Sequence, residues 1–318
     1  MGLRRFIFKR VLLTVPILFG VSVVTFGLVH LAPGDPIDVL VSFNPDVSAA
    51  QKAQLRARYG YDLPLWEQYI RWITNVLQGD LGPVITRAGV DVNDVIASRL
   101  APTVALGLFG WVFAIVIAIP TGIYAAVRKD ELGDHVSRFV ALSGISIPNF
   151  WLGLMLILFG ALTFDLWPVL PPREPLLHPK TLWFLILPGI TIGTASASTM
   201  MRIMRSSMAE EINKEYVTAA RAKGLPERTV ILKHVLRNSL ISVTTVAAFL
   251  TAGIVAGSVV VEVVFSWPGL GREFVRAIIS REINLILAIT LFTGVALVLA
   301  NLLADIVYAV LDPRIRYD

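Results

Sequence analysis

The sequence predicts an all-α polytopic membrane protein with six transmembrane helices and both termini in the cytoplasm. Three observations carry that prediction. First, 55% of the 318 residues are hydrophobic, only 16% are charged, and the mean hydropathy is +0.71. A soluble domain carries about a quarter charged residues. Second, six runs contain no Asp, Glu, Lys or Arg: 11–34, 100–127, 139–164, 181–201, 238–261 and 283–304. The shortest has 21 residues, and a helix needs ~20 apolar residues to cross a hydrocarbon layer ~30 Å thick. Barrel strands would be about half as long and would alternate in polarity; these runs do not alternate. Third, the basic residues are asymmetric. With the N-terminus inside, segments 4–10, 128–138, 202–237 and 314–316 hold 17 Lys and Arg, against 5 in the short segments 165–180 and 262–282. The long segment 32–99 exceeds the length over which the positive-inside rule counts.

The first run follows Arg4, Arg5, Lys9 and Arg10, as in a signal peptide. Its apolar region is too long and no small-residue cleavage site follows, so a retained helix is expected over 1–31. An extracytoplasmic segment, 32–99, opens on the turn signature Pro33-Gly34-Asp35-Pro36. Ser48 caps a predicted helix to Tyr59, and Pro64 starts another that ends at Gly79. The aromatics Trp66, Tyr69 and Trp72 suit a membrane–water interface, so this segment is expected to cap the outer mouth.

A five-helix core then fills 100–318. Helix 2 is expected over Pro102–Val127, helix 3 over Phe139–Phe164, and helix 4 over Leu182–Met201 with a small, polar inner half. The Pro-rich loop Asp165–Lys180 should be stiff and non-helical. Helix 5 spans Ser239–Phe265, and its Ala248, Ala252, Ala256, Gly253 and Gly257 spacing permits close helix packing. Glu262 at its outer end is expected to reach the headgroups. A tight turn at Ser266–Gly271 and an amphipathic piece to Arg281 lead to helix 6, Leu285–Leu311, whose Asp305 should pair with a basic residue near the inner surface.

Several chemistries are absent. There is no Cys, hence no disulfide, thiol nucleophile or thiolate metal site. No GxxxxGK[ST] phosphate loop and no HExxH zinc motif occur, so the chain is not its own ATPase. His30, His135, His178 and His234 lie at helix ends or in loops, which disfavours a proton relay through the bilayer. Sodium coupling through backbone carbonyls remains open. The net charge of +5 belongs to the basic loops that orient a membrane protein, not to a nucleic-acid surface.

The most informative stretch is the charged segment 202–238, set between two long apolar runs. Arg202–Lys214 continues helix 4 into the cytoplasm. Glu215–Lys223 has helical propensity, and Gly224, followed by Leu225-Pro226, is a plausible helix stop. Periodicity alone does not separate a partner-docking helix from an ordinary cytoplasmic cap.

Residues 202–271 resemble the membrane subunits of ABC importers, specifically the first permease of the dipeptide/oligopeptide/nickel group. The importer pattern is Glu-Ala-Ala, three residues, then Gly. Thr218-Ala219-Ala220 and Gly224 occupy those positions, with Thr in place of Glu. The downstream Ile-x-Leu-Pro is also not kept; the chain reads His234-Val235-Leu236-Arg237. Glu215, one turn earlier, is the available acid. Pro33–Pro36, Gly79-Asp80-Leu81-Gly82, Ile147–Gly153, Phe265–Gly271 and Leu311–Tyr317 agree in order, so the resemblance covers nearly the whole chain.

The resemblance implies a type I ABC importer permease that moves di- or oligopeptides by alternating access. It implies a second homologous permease subunit, two ABC ATPase subunits, an extracytoplasmic solute-binding protein and the lipid bilayer as partners. ATP and Mg would be bound by the ATPase subunits, leaving this chain without cofactor, metal or catalytic residue. Glu215, Tyr216, Thr218, Ala219, Ala220, Arg221, Gly224 and Leu225 would form the coupling helix, the alanine pair seating it in a partner's groove and Gly224 turning the chain out. Ser143, Ser196, Thr199, Thr251 and Ser258 would line a wide, mildly polar pathway. Oligosaccharide, nickel or glutathione are alternative cargoes. A lone sodium-driven carrier and a scaffold without transport are alternative classes.

Overall fold

Helices built from the apolar runs dominate the computed structural model, which describes residues 3–31, 36–42, 48–256 and 259–311. The chain opens with α1 (Leu3–Leu31), then α2 (Pro36–Ser42), α3 (Ala49–Tyr59) and α4 (Leu65–Leu77). Ser48 caps α3 in a full capping box with Gln51, as its sequence predicts, and Pro64 precedes α4. α5 (Val92–Val127) and α6 (Leu132–Ser146) follow, then α7 (Asn149–Leu156), which continues as a π-helical turn, Ile157–Thr163. α8 (Pro179–Phe184) leads into α9 (Ile186–Glu211), α10 (Glu215–Ala222) and α11 (Glu227–Thr229). A second π-helical stretch, Val230–Val235, runs into α12 (Leu236–Ala256). α13 (Val259–Val264), α14 (Leu270–Ile279) and α15 (Ile283–Leu311) complete the bundle.

Among the described residues, a stretch beginning in α1, α5 and α15 are long and apolar enough to cross a membrane. The α6–α7 pair adds a fourth if it counts as one span. α9 is a continuous helix whose Thr191, Thr194, Ser196, Ser198 and Thr199 make it more polar. The run 238–261 is described as α12 and α13.

The expectation of one helix 3 over Phe139–Phe164 is corrected. α6 and the segment Asn149–Thr163 meet at 106°. Ile147 and Pro148 are both extended, because the proline ring crowds the α conformation of the residue before it. By contrast, Pro102 and Pro120 are accommodated inside α5.

The bundle is organised around α5 against α9. A methyl on Gly193 would overlap the carbonyl oxygen of Gly110, so the two backbones touch where neither residue has a side chain. Toward the α10 end, Met200, Met201, Met204 and Met208 of α9 fill a core with Ala118, Ala125 and Val243. α12 packs on α9 and α15, and α1 on α15. The long helices thus bury part of their surface and leave large apolar side chains on the outside, among them Val15, Leu108, Phe139 and Leu303.

Candidate functional site

α10 is short because its sequence starts and stops it within two turns. Lys214 is extended at the N-cap, and its carbonyl accepts from the amides of Val217 and Thr218. At the other end Gly224 adopts φ +76°, with its amide donating to Arg221 and that of Lys223 to Ala219. Only glycine takes that left-handed conformation without strain. A Cβ there would meet nothing within 4 Å, so conformation alone, not space, constrains the position.

One face of α10 is seated on this chain. Val217 and Ala220, three residues apart, are buried with Val230, Ile231 and Val235 of the π-helical stretch and with Met204 and Met208 of α9. Burying Val217 is worth roughly 1.5–3 kcal/mol. The alanine pair therefore splits. Ala220 faces inward, while Ala219 faces out with Glu215, Thr218 and Ala222. This revises the expectation that both alanines enter a partner's groove.

Polar contacts fix the ends of the seat. Tyr216 donates its hydroxyl to Glu211 Oε2 at 2.6 Å and accepts from Asn238 Nδ2 at 3.0 Å, joining α9, α10 and α12. Burial pushes the Glu211 carboxyl up, but Lys214 and Tyr216 donate to it and bring it below its ordinary value. Arg221 donates through Nε and Nη2 to Glu227, at 3.1 and 2.7 Å, which lowers the Glu227 carboxyl and closes the Gly224 turn. Leu225 projects from that turn, 37% exposed.

Behind this seat lies a pair that sequence reasoning missed. Asp134, fully buried at the start of α6, accepts from Arg205 Nε and Nη2 of α9 at 2.5 Å each, and from the amide of Asp130. The Arg205 bonds hold the Asp134 carboxyl at about 2, and its burial opposes them. Asp134 is one of three acids in the turn 128–138, beside Asp130 and Glu131, and nothing local in the sequence singles it out.

The pathway candidates do not converge on one cavity. Thr199 lines a cleft between α6 and α9, whereas Ser143 and Ser196 are half-buried on the same helices outside its lining. Thr199 spends its hydroxyl proton on the carbonyl of Ala195, 3.0 Å away. Thr251 lies in α12, and Ser258 lies outside the described residues, as does the side chain of Asp305.

Comparison with known proteins gives this arrangement a family. Residues 118–317 match the binding-protein-dependent transport system inner membrane component, and residues 3–89 match the N-terminal part of such membrane components. The chain belongs to this family. It is 38% identical over 316 residues to the oligopeptide transport system permease protein AppB of Bacillus subtilis, with 98% of this chain and 99% of that one covered. It is 35% identical to the dipeptide transport system permease protein DppB of Escherichia coli K12, with the same coverage. The glutathione transport system permease protein GsiC of E. coli O6:H1 is 38% identical over 314 residues, again covering 98% and 99%. The chain is thus an ABC importer permease, a multi-pass protein of the inner membrane.

The end of the permease away from α10 is built differently. Three glutamates there are buried, and each accepts from another segment. Glu262 takes the Thr103 hydroxyl at 2.8 Å and the Arg272 amide at 3.0 Å. A Cβ on Gly269 would collide with its carboxylate. Glu262 therefore does not reach a headgroup layer, as its position in the sequence suggested; it pins the turn that follows its own helix. Glu273 accepts from Arg87 Nη2 at 2.7 Å, and Glu282 from the amides of Ile85 and Thr86 at 3.0 and 2.5 Å. Trp267 donates to the carbonyl of Pro102 at 2.8 Å and stacks on Phe184.

Proposed function

We propose that this permease imports di- and oligopeptides, driven by ATP hydrolysed in partner subunits, and that α10 is the element those subunits move. The observation that carries the reading is the two-sidedness of α10: Val217 and Ala220 are sunk into this chain, while Glu215, Thr218, Ala219 and Leu225 are presented outward. The peptide cargo is supported by the full-length similarity to oligopeptide and dipeptide permeases. The similarity to a glutathione permease keeps that tripeptide within the same cargo class.

In this reading the chain crosses the membrane six times with both termini inside. Residues 1–31 form a first helix that wraps a second, homologous permease. Residues 32–99 cap the outer mouth, where an extracytoplasmic binding protein delivers cargo. Residues 100–318 form the moving core, with coupling segment 202–238. Two ATPase subunits hold ATP and Mg below it. ATP shifts the permease between inward-open and outward-open forms only if the ATPase dimer binds one form better. The seat of α10 converts that preference into motion, because Met204, Met208 and Val243 connect it to α9 and α12. Of the expected path residues, Ser143, Ser196, Thr251 and Ser258 contribute polar positions to the path, Thr199 lining the α6–α9 cleft instead, and binding-protein affinity sets cargo choice.

The reading is tested in proteoliposomes containing the full complex and its binding protein. Peptide should accumulate with ATP and not without it. Accumulation by this permease alone, driven by a sodium gradient, would contradict it.

A further inference from the structure

The cleft between α6 and α9 holds about 940 Å³ and is lined by His135, Arg138, Phe139, Leu142, Thr199, Arg202, Ile203, Arg205 and Ser206. No acidic side chain lines it among the described residues. Arg205 is committed to Asp134. Arg138 contributes only a longer-range attraction to the same carboxylate, and Arg202 is exposed with no ion pair among the described residues. Two guanidinium groups and a histidine therefore face one space without a counter-charge. A concave surface lined by one sign of charge focuses its field, and a guanidinium fork matches a phosphate or carboxylate in bidentate geometry.

The polar inventory narrows the ligand. Arginine donates only. The hydroxyl proton of Thr199 is already spent on its own helix, and among the described residues Thr199, Ser206 and the His135 ring are the only lining side chains able to accept. A peptide backbone needs acceptors for its amides as well as donors for its carbonyls, and this lining is poor in acceptors. A phosphodiester needs donors alone. The remaining wall is apolar: Phe139 and Leu142 are 72% and 59% exposed, and they continue along α6 away from the arginines. A cationic mouth leading onto an exposed apolar ridge fits a headgroup with acyl chains attached. Basic pockets between transmembrane helices on the cytoplasmic side bind anionic headgroups by this logic. The lack of a carboxylate in the lining also disfavours the ammonium of a zwitterionic lipid.

We propose that the α6–α9 cleft binds the headgroup of an anionic phospholipid, held by Arg138 and Arg202 with its chains along Phe139 and Leu142. Its place in the inner leaflet rests on the inside orientation of 128–138 and 202–237 given above. Bound there, the lipid would bridge α6 and α9 beside the Asp134–Arg205 pair, so it would favour whichever form of the permease keeps those helices together.

The experiment is native mass spectrometry of the intact detergent-purified complex, titrated with phosphatidylglycerol or phosphatidylethanolamine. The proposal expects phosphatidylglycerol to be retained preferentially, and the R138Q/R202Q permease to lose that preference with affinity weaker by about tenfold or more. The R138K/R202K permease keeps the charge without the fork and should recover part of the binding and the preference for phosphatidylglycerol, which separates lost charge from misfolding. Equal retention of both lipids, or unchanged selectivity in R138Q/R202Q, would overturn it. Displacement by millimolar inorganic phosphate, or by a short peptide with a free C-terminal carboxylate, would assign the cleft to a soluble anion and also overturn it. ATP-driven peptide uptake by the same wild-type complex is read in parallel. Normal uptake without lipid selectivity removes the lipid site alone, and absent uptake counts against the transport reading alone.

Discussion

The two ends of the bundle are held by opposite means. At the end away from α10, Glu262, Glu273 and Glu282 are buried, and each is satisfied by a separate loop or helix of the same chain. At the other end, α10 is seated by Val217 and Ala220 on apolar neighbours, and its polar groups lie at the margin. A buried carboxylate tolerates little displacement, because breaking its bonds strands both charge and donors. An apolar seat is non-directional and can slide or transmit a push. The glutamate end is built as a fixed frame, and the α10 end, in the proposed reading, as a socketed lever with one face left for a partner.

The largest effect expected from this contrast is on the frame. Glu262→Ala leaves Thr103 and the Arg272 amide without their acceptor and should destabilise the permease by roughly 3 kcal/mol or more. A thermal-shift measurement on the purified complex checks this; a loss under ~1 kcal/mol would mean that the glutamate clamp is not rigid. Ala220→Glu comes next. It forces a carboxylate into the apolar seat at a cost of roughly 2 kcal/mol or more, so α10 should lift from the core. Peptide-stimulated ATP hydrolysis should then be lost while membrane insertion persists, and unimpaired stimulation would break the lever account.

Asp134→Asn sharpens the comparison, since it tests a buried ion pair near the α10 end. With the carboxyl depressed to about 2 from an ordinary 3.8, the pair contributes roughly 2 kcal/mol. That contribution is complete above the ordinary value and lost as pH falls toward the depressed one. Wild type should therefore keep it at any pH above ~4, and D134N should lack it throughout; unfolding followed from pH 7 to pH 3 separates the two. Gly224→Val meets no neighbour, so it should cost only the ~1–2 kcal/mol of left-handed strain and reduce uptake partially. Arg221→Ala removes an ion pair exposed on both sides, and its effect on stability should fall below ~1 kcal/mol.

What could be read beforehand divides along the same line. Features set by local rules were legible: the Ser48 cap, the Pro64 start, the Gly224 stop and the continuation of helix 4 past Arg202 all follow from the conformational preferences of a few adjacent residues. The break at Ile147-Pro148 was visible as a proline, but Pro102 and Pro120 sit inside a continuous helix, so proline alone does not decide between bend and accommodation. Side-chain direction was not legible. Glu262 stands at a helix end where a headgroup is the ordinary destination, and only the folded-back turn at Ser266–Gly271 brings donors to it. Ala219 and Ala220 are chemically identical, and the position of the π-helical stretch beneath them decides which one faces out. The Asp134–Arg205 pair joins residues 71 apart and left no local pattern.

Because the chain contains no cysteine, single thiols report directly on the face that α10 offers. The decisive measurement is the reactivity of Ala219→Cys and Ala220→Cys toward a membrane-impermeant maleimide in inside-out vesicles, with and without the ATPase subunits. The account predicts that position 219 labels readily in the permease pair alone and is protected once the ATPases assemble, whereas position 220 stays unreactive in both states. Equal labelling of Ala219→Cys with and without the ATPases would contradict it.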